Sequence, residues 1–121
     1  MLVFEHAQEP LVIISPSMTT GIDLPYIVGF QIIAKVPYAD LGDPVTAARR
    51  TYKPEWNPKF GQQVYDADAL NTVVQAAGRA VRTPTDQGVT YVIDGNFWGL
   101  YARAYSPESF RETVRWLKAN R

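Results

Sequence analysis

Cysteine is absent from this chain of 121 residues, and histidine occurs once, at His6. The first absence excludes disulfides, thiolate metal sites and an iron-sulfur cluster within the chain. The second leaves no Ser/His/Asp or Cys/His arrangement to build on, because His6 stands alone in a polar lead-in and reads as structural or solvated. An excess of either charge is also lacking, with 12 Lys and Arg against 12 Asp and Glu. No global basic field therefore announces a nucleic acid. There is no apolar run long enough to span a bilayer and no basic, apolar, small-residue leader, so the expectation is a chain that neither spans a membrane nor is exported.

Residues 75–97, QAAGRAVRTPTDQGVTYVIDGNF, hold most of the information. Gln75, Arg79 and Arg82 follow i, i+4, i+7 spacing and fall within roughly 60° of one another on a helix, forming one polar stripe. Leu70, Val73, Val74, Ala77 and Val81 follow the complementary spacing and predict a buried stripe on the opposite side. Two guanidinium groups one turn apart on an anchored helix suit an anion such as a triphosphate. A simply solvated face has the same composition. Gly78 inside such a helix costs about 1 kcal/mol relative to alanine, and a close approach to the backbone is a physical reason for it.

Gln75-x-x-Gly78-Arg79-x-x-Arg82 resembles motif VI of the helicase superfamily that includes the DEAD-box and DEAH-box proteins. The continuation is more specific. Asp86-x-Gly88, the apolar run Val89–Ile93 and Asp94-x-x-Phe97 resemble the XPD/DinG branch of DNA helicases, with Asn96 where a basic residue is frequent. Upstream, Ile14 to Pro25 (ISPSMTTGIDLP) resembles motif V, with Thr20 in place of the family's glutamate. Read from the residues alone, Leu11–Ile14 is a short buried strand bounded by Pro10 and Pro16, running into a Ser/Thr/Gly loop. Such loops lie at the carboxyl ends of strands, where open α/β sheets bind ligands, and Gly21 and the small hydroxyl residues leave N–H groups approachable by phosphates. A third, weaker match is Gln31 to Tyr38 (QIIAKVPY) followed by Asp43-Pro44. Together the three cover residues 11–97, with Arg115-Trp116-Leu117 as a possible tail.

The remaining elements follow from local chemistry. Strands are expected near 11–15, 28–36 and 89–94, and helices near 44–52, 67–82 and 107–119. The proline-punctuated stretch Lys53–Gly61 reads as a loop whose Trp56 and Phe60 either stack on bases or pack the loop down. Arg49, Arg50, Lys53 and Lys59 form one basic cluster, and Arg111, Arg115, Lys118 and Arg121 another. Each is solvated or anion-binding. Asp40, Asp43, Asp66 and Asp68 are assigned to turns and helix starts as caps. Ser106-Pro107-Glu108 predicts a helix start with a hydroxyl cap and proline at the first position, followed by a buried stripe of Phe110, Val114 and Leu117.

Strands alternating with helices predict one α/β domain over residues 1–121 with a mostly parallel sheet. The resemblance implies the second RecA-like motor domain of an ATP-dependent DNA helicase acting in DNA repair and moving 5′ to 3′, cytoplasmic and associated with the nucleoid or nucleus. Met1 lies only about twenty residues before Gly21, so a domain shortened at its amino end is expected, with an unprotected sheet edge. The resemblance assigns Arg79, Arg82 and Gln75 to catalysis and Gly21, Asp23 and Gly78 to nucleotide binding. Ser17, Thr19 and Thr20 are assigned to single-stranded or forked DNA. ATP and Mg²⁺ are implied, the metal held by an amino-terminal motor domain that acts as partner. No G-x-x-x-x-G-K-[ST] sequence and no Asp-Glu pair occurs here, so the chain alone is expected to be inactive. A non-catalytic module that binds nucleic acid or a protein, or a mononucleotide-binding regulatory domain using the Ser15–Gly21 loop, remains an alternative.

Overall fold

The computed structural model describes Val12, Ile14, residues 29–79, Thr85 and residues 87–117. Within them the order is β1 (Phe30–Ile33), α1 (Pro44–Thr51), α2 (Phe60–Ala77), β2 (Val89–Val92), α3 (Asn96–Arg103) and α4 (Glu108–Thr113). β1 and β2 pair in parallel, Phe30 opposite Val89 and Ile33 opposite Val92, and the Ile93 N–H extends the ladder to the Ile33 carbonyl at 3.1 Å. Parallel neighbours require a long crossover, which the segment holding α1 and α2 provides. The α/β class with a parallel sheet is therefore present as the sequence predicts.

The chain divides into two compact units, residues 1–37 with 72–97, and residues 38–71 with 98–121. In the first unit, strand alternation gives the sheet two unlike faces. Phe30, Ile32, Val89 and Tyr91 are exposed, with Phe30 and Tyr91 in an edge-to-face contact of 6.5 Å between ring centres. Gln31, Ile33, Thr90 and Val92 are half-buried on the other face. Val36, Val73, Ala76 and Phe97 supply this unit's buried apolar residues.

Asp94 joins the two strand ends. Its Oδ2 accepts the Val36 N–H at 2.8 Å, and its Oδ1 accepts the Asn96 N–H at 2.9 Å. These bonds to the ionised form, that from Val36 foremost, hold the carboxyl below its ordinary range. Asp43, capping α1 in the second unit, is lowered in the same way by the Thr46 N–H. A folded-state value below the unfolded one gives stability that is complete above about pH 4 and is lost as pH falls through the depressed values. Denaturant midpoints are therefore expected to fall as pH drops below about 4, less steeply in Asp94→Asn. Parallel acid limbs for the two proteins would remove Asp94 from this account.

In the second unit Asp43 and Pro44 start α1 as a side-chain cap followed by proline in the first turn. Asp40 makes the expected turn contact, accepting the Gly42 N–H at 2.8 Å. Asp66 and Asp68 depart from expectation because α2 begins seven residues before the predicted position 67, which places both inside the helix. Its start is set by the Asn57–Gln63 bond of 2.7 Å and the turn bonds below it. Asp66 is buried, accepting Gln62 Nε2 at 3.0 Å and Arg103 Nε at 3.2 Å. Gln62 in turn accepts Arg50 Nε at 2.9 Å, so a buried carboxylate is tied to two cations through one amide and one direct pair. Such pairing is what allows a charge to be buried at all. Tyr38 stacks on Tyr65 at 5.2 Å, and burial, reinforced by Asp66, pushes its phenol above the ordinary value.

Two expectations near the carboxyl end are corrected. α4 spans Glu108–Thr113 only, and Val114, already extended, closes it with an N–H bond to the Arg111 carbonyl. Leu117 is 81% exposed, so the predicted stripe does not extend to it. Pro107, not Ser106, occupies the cap position, and Ser106 is buried with its Oγ accepting Arg111 Nη1 at 3.4 Å. α3 was not predicted. Its sequence NFWGLYAR has aromatic residues and a central glycine that favour no single element.

Candidate nucleotide-facing site

The carboxyl end of α2 is the part of the expected site that the structure describes. Buried positions along it are Asp66, Ala69, Leu70, Val73 and Ala76, whereas Val74 and Ala77 are half-buried. The apolar stripe thus follows the predicted period, shifted so that Ala76 rather than Ala77 faces inward. Gln75 is exposed, as the polar stripe requires.

The helix stops at Ala77, short of the predicted position 82. Gly78 N–H still bonds the Val74 carbonyl at 3.1 Å, but Arg79 N–H bonds the Ala76 carbonyl at 3.0 Å, a tightening to three-residue spacing that ends helices. Arg79 is consequently half-buried in the turn beyond α2, not one turn up a straight stripe from Gln75. Gly78 is terminal rather than interior, so the penalty for glycine within a helix does not arise. A Cβ there would meet only the Gln75 carbonyl at 3.5 Å and the Val74 carbonyl at 3.7 Å, ordinary contacts.

A residue that sequence reasoning gave no role anchors this turn. Gln31, at the second position of β1, donates from Nε2 to the Ala76 carbonyl at 2.6 Å and to Thr90 Oγ1 at 2.7 Å. One amide thereby ties the end of α2 to both strands. The signal was an amide inside the apolar run Phe30–Ala34, since a part-buried polar side chain must find partners. Asp94 was legible similarly, as an Asp followed by Gly at a strand end.

Arg82, Gly21, Asp23, Ser17, Thr19 and Thr20 lie outside the described residues, as do Asp86, Val81, Lys118, Arg121 and most of the expected strand 11–15. Val12 and Ile14, the described members of that strand, carry no strand structure and are 84% and 94% exposed, so its expected burial is not observed at those positions. An apolar strand is buried only when neighbouring strands and covering helices remove it from water. No group of three or more potential metal ligands occurs among the described residues, and no helix among them is long and apolar enough to cross a membrane.

The small α/β fold with its two-stranded parallel sheet is consistent with a shortened RecA-like domain. The model of the family described as helicase C-terminal domain matches residues 4–113, and the chain belongs to that family, which is the carboxyl-terminal domain of XPD/DinG-type helicases. No curated protein and no solved structure matches the chain.

Proposed function

We propose that this chain supplies the second motor domain's share of an ATP site and of a single-stranded DNA track. The observation that carries the reading is the extent of the family match, residues 4–113, which takes in Gln75, Gly78, Arg79 and Arg82 together with Ser17, Thr19, Thr20, Gly21 and Asp23. The described half of the site fits a phosphate. Gly78 has no side chain to block an approach, Gln75 is exposed and Arg79 follows directly in a turn held to the sheet through Gln31.

ATP, when bound between two motor domains, supplies the phosphoryl group whose transfer to water drives movement along DNA. Toward it, Arg79 and Arg82 provide positive charge that offsets the charge developing during transfer, an effect on the order of 10³ to 10⁵ in rate. Gln75 orients the terminal phosphate by hydrogen bonding. Ser17, Thr19 and Thr20 are assigned as hydroxyl and N–H donors to the DNA backbone, and Gly21 and Asp23 are assigned to the nucleotide. Mg²⁺ and a phosphate-binding loop belong to the amino-terminal motor domain, because no such loop sequence occurs here.

The purified chain is therefore expected to show no ATP turnover above background, with or without DNA. Turnover by the isolated chain that disappears in Arg79→Ala would overturn this division of labour.

A further inference from the structure

The loop that leaves α1 and enters α2 holds aromatic and cationic side chains in a manner that the ATP-site reading does not use. Phe60, the first residue of α2, is half-buried between two other rings, Trp56 at 4.9 Å and Tyr52 at 6.3 Å, both edge-to-face. The outer two rings remain open to solvent. Trp56 is 73% exposed and Tyr52 58% exposed, although each is fixed by its contact with Phe60. A cleft of about 250 Å³ beside them is lined by Arg49, Tyr52, Phe60, Gly61 and Val64.

The loop backbone is held by its own bonds. Asn57 N–H reaches the Pro54 carbonyl and Phe60 N–H reaches the Asn57 carbonyl, both at 3.0 Å, while the Asn57 side chain accepts the Lys59 N–H at 3.0 Å and donates to Gln63 at 2.7 Å. Pro54 is buried beneath it. A ring presented on a loop so constrained binds without first having to be ordered.

Charge identifies the occupant. Arg49, Lys53 and Lys59 are exposed and form no ion pair among the described residues, and Glu55 is the one carboxylate between Arg49 and Phe60. Arg50 is the engaged member of the group, bonded to Gln62 and lying over the Tyr65 ring at 5.3 Å. Unpaired cations beside exposed rings match a flexible polyanion with flat bases, since every base has a π-face to stack while its phosphates meet the cations. Duplex DNA, with its bases enclosed, does not satisfy the rings.

We infer that residues 49–60 form a single-stranded nucleic-acid contact in which Trp56 stacks on a base while Arg49, Lys53 and Lys59 hold the flanking phosphates. The inference uses none of Ser17, Thr19 and Thr20, and it rests on the helicase reading only in choosing nucleic acid over other polyanions.

The test is fluorescence anisotropy of labelled dT15 with the complete chain at several salt concentrations. Trp56→Ala is expected to weaken binding about tenfold, the scale of one lost base stack. Lys53→Glu combined with Lys59→Glu, which leaves the aromatic cluster intact, is expected to lower the slope of log affinity against log salt by about 1.4, the equivalent of two single-strand phosphates. Circular dichroism checks that both variants are folded. Absence of dT15 binding, affinity unchanged in both folded variants, or equal affinity for duplex DNA overturns the inference, and poly-glutamate bound as tightly as dT15 assigns the surface to an acidic protein instead. Failure of the ATP-site reading is separately visible, because that reading is tested by ATP turnover, which the dT15 binding assay does not involve.

Discussion

On the role proposed for Arg79, replacing it with alanine in this chain paired with an amino-terminal motor domain is expected to lower DNA-stimulated ATP turnover by about a thousandfold, the lower end of what an arginine contributes to phosphoryl transfer. The loss belongs in kcat, with KM for ATP little changed, because the guanidinium opposes charge that appears only during transfer. Arg79 leaves α2 through a turn fixed by the Arg79 to Ala76 backbone bond and by the Gln31 amide, so its backbone is held whatever the side chain. The folded state should survive the substitution, and melting curves check this. Gly78→Ala separates charge from space at the same turn. Its Cβ meets ordinary contacts at 3.5 and 3.7 Å within the fold. Stability should therefore be unchanged or raised by up to about 1 kcal/mol. If Gly78 admits a close approach by the nucleotide, that variant loses turnover through a higher KM. Undiminished turnover in Arg79→Ala would remove Arg79 from the chemistry and leave it a structural role at the end of α2.

What could be read from the sequence, and what could not, divides along physical lines. Period-two and period-3.6 patterns are properties of the local chain, and they located β1, β2, α1 and the buried side of α2. Element ends depend on bonds that no periodicity encodes. α2 starts at Phe60 because Asn57 and Gln63 bond across its first turn, and it stops at Ala77 because Arg79 takes the three-residue bond to Ala76. Asp66 shows the same limit in a side chain. A carboxylate in the middle of an apolar-periodic helix reads as a cap or a solvated charge until Arg103, 37 residues away, is seen at 3.2 Å. The candidate site was legible as composition, since Gln75, Gly78 and Arg79 stand at a recognisable spacing. Its support was not, because the amide of Gln31 joins the helix to a strand pairing that forms only in the folded chain.

Gly61→Ala is expected to destabilise the chain by about 3 kcal/mol, the upper part of the range for overpacked positions. The cause is backbone rather than side chain. α1 ends at Thr51, Tyr52 turns extended with its N–H on the Arg49 carbonyl, and the Tyr52 carbonyl accepts the Gly61 N–H at 3.1 Å. That bond brings the first turn of α2 against the last carbonyls of α1. A Cβ on Gly61 would lie 2.7 Å from the Tyr52 oxygen and closer still to those of Arg49 and Arg50. Three carbonyl oxygens cannot rotate away as a flexible side chain would, so either the bond breaks or α1 shifts. A domain of this size should lose roughly 10 to 20 °C in melting temperature. Gly95→Ala is the matched control, because nothing lies within 4 Å of a Cβ there. Because Gly61 also lines the cleft beside Tyr52 and Phe60, a shifted α1 would carry Arg49 away from the rings. Gly61→Ala should therefore lose affinity for dT15 even well below its melting temperature, whereas Gly95→Ala should retain it. Equal melting temperatures for the two alanine variants would mean that α1 is not seated on α2 through these carbonyls, and the rigidity assigned to the loop between them would go with it.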